Sequence, residues 1–173
     1  MTAPEFSRER RLDTIGTGET EVVVTAEPEE RAALAERFGL LAIDSLEARY
    51  RVRREAAGIR AAGHLSARVI QACVASHAPV PAAVEEDFDL RFVPEPEDSG
   101  DEVELSEEEC DTVFYTGGAI DLGEAAAETL ALALDPFPRS PDAEAVLKSA
   151  GVLGEDEAGP FSGLAALRGK LKQ

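Results

Sequence analysis

The sequence predicts an α+β domain: an antiparallel sheet, with a tendency to curl towards a barrel, and helices packed on it. Three observations lead there. Residues 45–93 hold three consecutive runs in which apolar and polar side chains alternate, the period of a strand with one buried and one wet face. The wet faces of those runs are complementary in charge: Arg49, Arg51, Arg53, Arg60 and Arg68 on the first two, Glu85, Asp87 and Asp89 on the third. Residues 122–134 carry Leu122, Ala125, Ala126, Leu130, Ala133 and Leu134 with few charges, a helix too apolar to stand in water unless it covers a sheet.

Taken in order, residues 1–11 read as a polar, partly mobile lead-in or, through Arg8, Arg10 and Arg11, as a basic arm. Leu12 to Ile15 is expected as a short strand and Gly16 to Gly18 as a turn. The β-branched Val22, Val23 and Val24 mark a strand. Residues 28–38 form a helix, with Thr25 or Glu27 as cap, Pro28 in the first turn and Gly39 at its end. The first run alternates Leu46, Ala48, Tyr50 and Val52 with charged residues. In the second, Gly63, Leu65, Ala67 and Val69 oppose His64, Ser66 and Arg68. The third sets Phe88, Leu90 and Phe92 against Asp87, Asp89 and Arg91. Opposite charges across neighbouring strands favour this pairing by a few tenths to ~1 kcal/mol each. Residues 112–116 return to strand character, Asp121 caps the apolar helix, and Pro136 and Pro138 stop it. A short helix within 141–150 ends at Gly151. The tail spaces Phe161, Leu164, Leu167 and Leu171 as a terminal helix, docked or free to bind a partner's groove.

The organisation expected is one α+β domain over 1–138, with an acidic loop at 94–111, followed by a C-terminal extension 139–173. At 173 residues and 44% apolar content the chain can bury a core, filled mostly by Leu, Ala and Val because only nine residues are aromatic. There is no apolar run of spanning length and the first residues lack a signal-peptide core, so the cytoplasm is the expected compartment. Cys73 and Cys110 form no disulfide framework.

The net charge of −18 is unevenly spread. From Glu85 to Asp111 fourteen acids stand against one base, whereas from Glu47 to Arg68 six arginines stand against two acids, giving −13 and +4. A chain this acidic repels nucleic acid unless its basic strip is well separated; a basic protein is the easier partner.

Catalytic signatures are absent: there is no nucleophile elbow, P-loop or dinucleotide-binding glycine motif. His64 and His77 read as surface residues. Cys73 and His77, four apart, would give two metal ligands where zinc needs three or four; otherwise Cys73 is a small buried apolar residue. The unspaced acids Glu107, Glu108 and Glu109 lack the spacing of a cation loop. No catalytic, cofactor-binding or metal residue is therefore assigned, no cofactor or small-molecule substrate is expected, and an enzyme is not.

Several segments, in order, carry a family resemblance. They are Phe6-Ser7-Arg8; Glu30-Arg31 through Ala33-Leu34-Ala35 to Arg37-Phe38; Gly63-His64-Leu65 to Ala67-Arg68-Val69; and Gln71-Ala72-Cys73-Val74 with Pro79-Val80. Ile120-Asp121-Leu122-Gly123-Glu124 follows, running on through Glu128, Leu130, Leu132 and Leu134 to Pro136 and Pro138. Together these resemble the YceD-like family, the large ribosomal RNA subunit accumulation proteins, and the tail, Pro160-Phe161 to Leu164 and Leu167, is similar to the alphaproteobacterial type of that family. The resemblance implies a cytoplasmic bacterial protein needed for large-subunit ribosomal RNA to accumulate, with no catalytic activity established for the family. Many members carry a second cysteine three after the first and more near the C-terminus. Here Ser76 stands at the first of these places and no cysteine follows Cys110, so no metal role carries over.

The function expected is non-enzymatic support of ribosome biogenesis, with ribosomal RNA or a ribosomal protein as partner. Two mechanisms compete. The arginines Arg49, Arg51, Arg53, Arg60 and Arg68 would hold RNA phosphate, or the acidic stretch 95–111, with Glu102, Glu104, Glu107, Glu108 and Glu109, would shield a basic ribosomal protein. Charge arithmetic favours the second, and Glu85, Asp87 and Asp89 would neutralise part of the arginine strip. The alternatives are a metal-dependent RNA hydrolase and a general protein-interaction module.

Overall fold

A computed structural model describes residues 4–95 and 111–152. In chain order the elements are β1 (Glu9–Arg11), β2 (Thr20–Thr25), α1 (Pro28–Phe38), β3 (Ala42–Glu55), β4 (Gly58–Ala72), β5 (Pro79–Pro94), β6 (Asp111–Tyr115), β7 (Ala119–Asp121), α2 (Leu122–Ala133) and α3 (Ala143–Ser149). Two compact units are distinguished. The first comprises residues up to 71 together with 81–136; the second comprises 72–80 and the chain from 137 onward.

The first unit is an α+β layer structure. Its sheet runs β2-β3-β4-β5-β6, beside a two-stranded ribbon of β1 and β7. The period-2 runs place their apolar members on one face. Leu46, Ala48, Tyr50 and Val52 of β3, Leu65, Ala67 and Val69 of β4, and Leu90 and Phe92 of β5 are all buried, and Phe88 packs half-buried against them. The alternating polar residues form the outer face. β2 and β4 flank β3 antiparallel, with Arg49 opposite His64 and Arg53 opposite Arg60. Between β4 and β5 the side-chain partners run in opposite order, Arg60 with Asp89 and Ser66 with Glu85, as antiparallel neighbours require.

Gly63 is set by packing. It faces Tyr50 across the strands, where an added Cβ would stand 1.9 Å from Arg49 O and 2.9 Å from Phe88 Cζ. Lacking that atom, it lets the Phe88 ring lean on Tyr50, with centroids 4.9 Å apart. Tyr50 Oη then donates to Leu122 O at 2.8 Å, fixing the start of α2 to the sheet.

α2 lies on the apolar face through Leu122, Ala125, Ala126 and Leu130, all buried. Asp121 caps it as expected, accepting from the N–H groups of Gly123 (2.9 Å) and Glu124 (3.1 Å). α1 opens on a reciprocal capping box between Glu27 and Glu30 and closes on Gly39 in the left-handed region (φ 65°).

Four expectations need correction. The lead-in is anchored from residue 4 on. Phe6 is wholly buried, Ser7 Oγ (2.5 Å) and Arg8 N–H (2.7 Å) donate to Asp121, and Arg8 forks onto Glu30. Arg8 is thus no free basic arm. β1 then pairs with β7; three-residue strands carry too few residues for an alternation to register. Leu12–Thr14 is a single 3-10 turn rather than a strand. β6 joins β5 in parallel, not antiparallel; the intervening segment is long enough for a crossover, which parallel strands need. The sheet stays open, with β2 and β6 as edges, and does not close into a barrel.

In the second unit, residues 72–80 form a tight turn in which His77 N–H donates to Cys73 O (2.9 Å) and Cys73 N–H to Ala78 O (2.8 Å). His77 takes a positive φ of 59°. α3 lies inside the segment expected to be helical, and Gly151 follows in the left-handed region (φ 82°). The expected acidic site residues Glu102, Glu104, Glu107, Glu108 and Glu109, and the terminal helix 161–171, lie outside the described residues.

Candidate functional site

The five candidate arginines come together on the outer face of β3 and β4, but most of them face acids. Arg49 Nε donates to Glu47 on its own strand (2.9 Å), and Arg53 pairs with Glu55 (2.6 Å). Arg60 grips Asp89 of β5 through Nε (2.9 Å) and Nη2, with Glu55 3.9 Å away. Arg51 stands opposite Glu21 of β2 in the register. Arg51 and Arg68 are exposed and make no ion pair among the described residues. The strip is therefore a lattice of charge pairs.

His64 sits in the middle of it. Its Nδ1 lies 2.7 Å from Asp87 Oδ1 and its Nε2 2.8 Å from Glu85 Oε2. Two carboxylates on the two ring nitrogens favour the imidazolium. The hydrogen bond to Asp87 and then that to Glu85 raise the His64 pKa above its ordinary value. In return His64, seconded by the Ser66 hydroxyl (2.9 Å), lowers that of Glu85. His64 is a surface residue, as expected, yet it is a cross-strand tie as well.

A second surface of the same unit has the opposite character. Where β6 begins, the inner side of β5 and the flank of α2 bound a groove of about 590 Å³. Phe88, Leu90 and Leu132 are among its apolar lining, Glu86, Asp87, Asp89, Asp111 and Glu128 are its charged lining, and no basic side chain lines it among the described residues. Leu132 is 86% exposed. Loss of solvent, and then nearby Glu124, raises the Glu128 pKa, with Arg37 acting the other way. Sequence reading passed over this groove. Its one visible signal is Glu86, a carboxylate at a position whose parity along β5 is that of Val84 and Phe88.

In the second unit Cys73 is buried, but it is more than a small apolar residue. Its sulfur accepts the N–H groups of Ser76 (3.4 Å) and Ser140 (3.3 Å), and the two serine hydroxyls bond each other at 3.0 Å. These donors, those of Ser140 foremost, favour the thiolate and bring its pKa down to about 6. His77 contributes only its backbone to this turn, and among the described residues no group of three or more His, Cys, Asp or Glu is placed to hold a metal ion. Nor is any described helix long and apolar enough to cross a membrane.

No curated protein and no solved structure matches the chain. One family model does, over residues 61–168, from the inner strands of the sheet through α2 and α3: the large ribosomal RNA subunit accumulation protein YceD. That match spans more than half of the sequence, so the chain belongs to the YceD family, whose name ties it to the accumulation of large-subunit ribosomal RNA.

Proposed function

We propose that this protein is a non-enzymatic cytoplasmic factor that supports large-subunit ribosomal RNA accumulation by holding a basic ribosomal protein until it meets its RNA. The observation that carries this reading is the neutralisation of the arginine strip. A surface that holds RNA phosphate needs cations free to release the counterions of the backbone, whereas Arg49, Arg53 and Arg60 are already engaged by Glu47, Glu55 and Asp89. Acids outnumber bases 35 to 17 in a chain of net −18, which favours cationic partners and repels nucleic acid. The stretch 95–111 adds to that excess.

The test is a tagged pull-down from the native cytoplasm, divided into nuclease-treated and untreated halves, with proteins and RNA both identified. Large-subunit ribosomal proteins are expected to remain after nuclease, and neutralising the acids of 95–111 is expected to release them. Loss of every ribosomal component on nuclease treatment would overturn the adaptor reading. It would favour RNA held through Arg51 and Arg68, which are exposed and without an ion pair among the described residues.

A further inference from the structure

β5 is 16 residues long but pairs with β6 only from Leu90 to Pro94. Before Leu90 its described neighbour is β4 alone. Among the described residues no strand pairs with the other side of that half-strand, and unpaired groups on a strand edge template a further strand. Phase along the strand fixes which groups these are. Glu95 N–H points to the β6 side and donates to Tyr115 O at 3.0 Å. Since a strand alternates, Asp87 and Glu85 turn their N–H and C=O the same way. This edge runs into the groove beside α2, whose lining includes Glu86, Phe88, Asp111, Glu128 and Leu132.

We infer that the groove receives an extended, basic segment of a partner protein, which adds as a strand to the open edge of β5 in line with β6. Backbone groups of Glu85 and Asp87 would supply affinity without regard to sequence. Side chains would supply selectivity: Lys or Arg over Glu86, Asp111 and Glu128, and apolar residues on Phe88 and Leu132. Added strands are recognised in this divided manner, with main-chain bonds for affinity and alternate side chains for specificity. The sign of the lining selects the partner. Glu86, Asp111 and Glu128, in a groove that no basic side chain lines among the described residues, repel a phosphate backbone and draw a cationic peptide. An ammonium or guanidinium arriving beside Glu128, whose pKa is raised by loss of solvent and by Glu124, would favour its charged form. This inference rests on the adaptor reading above and names the surface that would perform it.

The probe is a fluorescent Lys-Val repeat peptide titrated with the full chain, with a Glu-Val repeat of equal length as control. Saturable binding of the Lys-Val peptide alone is expected, and the double variant E86K/E128K should bind it at least about tenfold more weakly at an unchanged melting temperature. If that variant folds poorly, E86Q/E128Q takes its place. Hydrogen exchange at the amides of Glu85 and Asp87 should slow when the peptide is bound. Equal affinity of variant and parent would overturn the inference, as would unchanged exchange at those two amides. So would amides already protected in the peptide-free chain, which would mean that the edge is filled from within. The two readings fail separately. If the parent retains ribosomal proteins after nuclease and E86K/E128K retains them equally, the groove falls and the adaptor stands; if the parent retains none, the adaptor falls.

Discussion

The outer face of the sheet and the groove on its inner side share one strand, β5, yet they treat charge in opposite ways. Glu85, Asp87 and Asp89 on the outer face each meet a base on β4, either His64 or Arg60. Glu86, one step along the same strand, turns to the other side and joins Asp111 and Glu128 in a groove with no described base. A count of acids along β5 treats these positions alike. What separates them is the partner strand: β4 supplies cations to one face, while α2 supplies another carboxylate to the other. Paired charge organises a sheet; unpaired charge is available to a visitor.

The largest effect should come from the position that holds both faces in place. Gly63→Ala forces a methyl into Arg49 O and the Phe88 ring, so the strands must part or Phe88 must leave Tyr50. A loss of ~3 kcal/mol is expected in urea unfolding, the upper end for overpacking a tight site. An unaltered midpoint would mean that β3 and β4 have slack at this crossing, and the contrast between the two faces would lose its structural basis.

A smaller loss, ~1 kcal/mol or less, should follow Arg60→Ala, which leaves Asp89 without its fork and makes the outer face resemble the groove. Because the pair is partly exposed, added salt should narrow the gap between variant and parent. A gap that does not respond to salt would point to packing of the arginine stem rather than to charge.

The smallest effect is a slope against pH. His64 has its folded pKa raised above the ordinary 6.5. Its contribution is therefore full below that value and is lost as pH climbs through the raised one. Glu85 behaves in the reverse sense: its folded pKa lies under 4.5, so its contribution is present above 4.5 and lost as pH falls through the lowered value. Melting temperatures recorded across the imidazole range should decline with rising pH in the parent and stay flatter in His64→Gln. Parallel curves for the two proteins would remove His64 as a cross-strand tie.

Much of the sheet was legible because its signals are local. Alternation assigns Leu46, Ala48, Tyr50 and Val52 to one side without knowledge of any neighbour, and Asp121 before an apolar run marks a cap by itself. The charge complementarity between β4 and β5 was readable too, though not which residues pair; Arg60 with Asp89 is one case of it. The failures share a cause, since each depends on a contact distant in sequence. Phe6 is one apolar residue in a polar lead-in, and only the core it enters reveals its role. β1 and β7 lack the length to carry a pattern. The parallel β6 depends on the path of its connection, which composition does not encode. The groove is the same kind of miss, because Glu128 and Glu86 become neighbours of one cavity only after α2 is laid on the sheet.

The clasp at Asp121 also bears on the order in which the chain is made. Arg8 N–H and Asp121 Oδ1 are 113 positions apart. As the polypeptide leaves the ribosome from its N-terminus, Ser7 and Arg8 emerge long before the Asp121 carboxylate that receives them. β2, α1, β3 and β4 make contacts closer in sequence and are free to assemble first. Arg8 can meet Glu30 early, but the clasp at Asp121 must wait, and its closure records that synthesis has passed the start of α2. The N-terminal segment thus acts as the closing latch of this unit, and a chain truncated before Asp121 would expose Phe6 together with the uncovered face of the sheet.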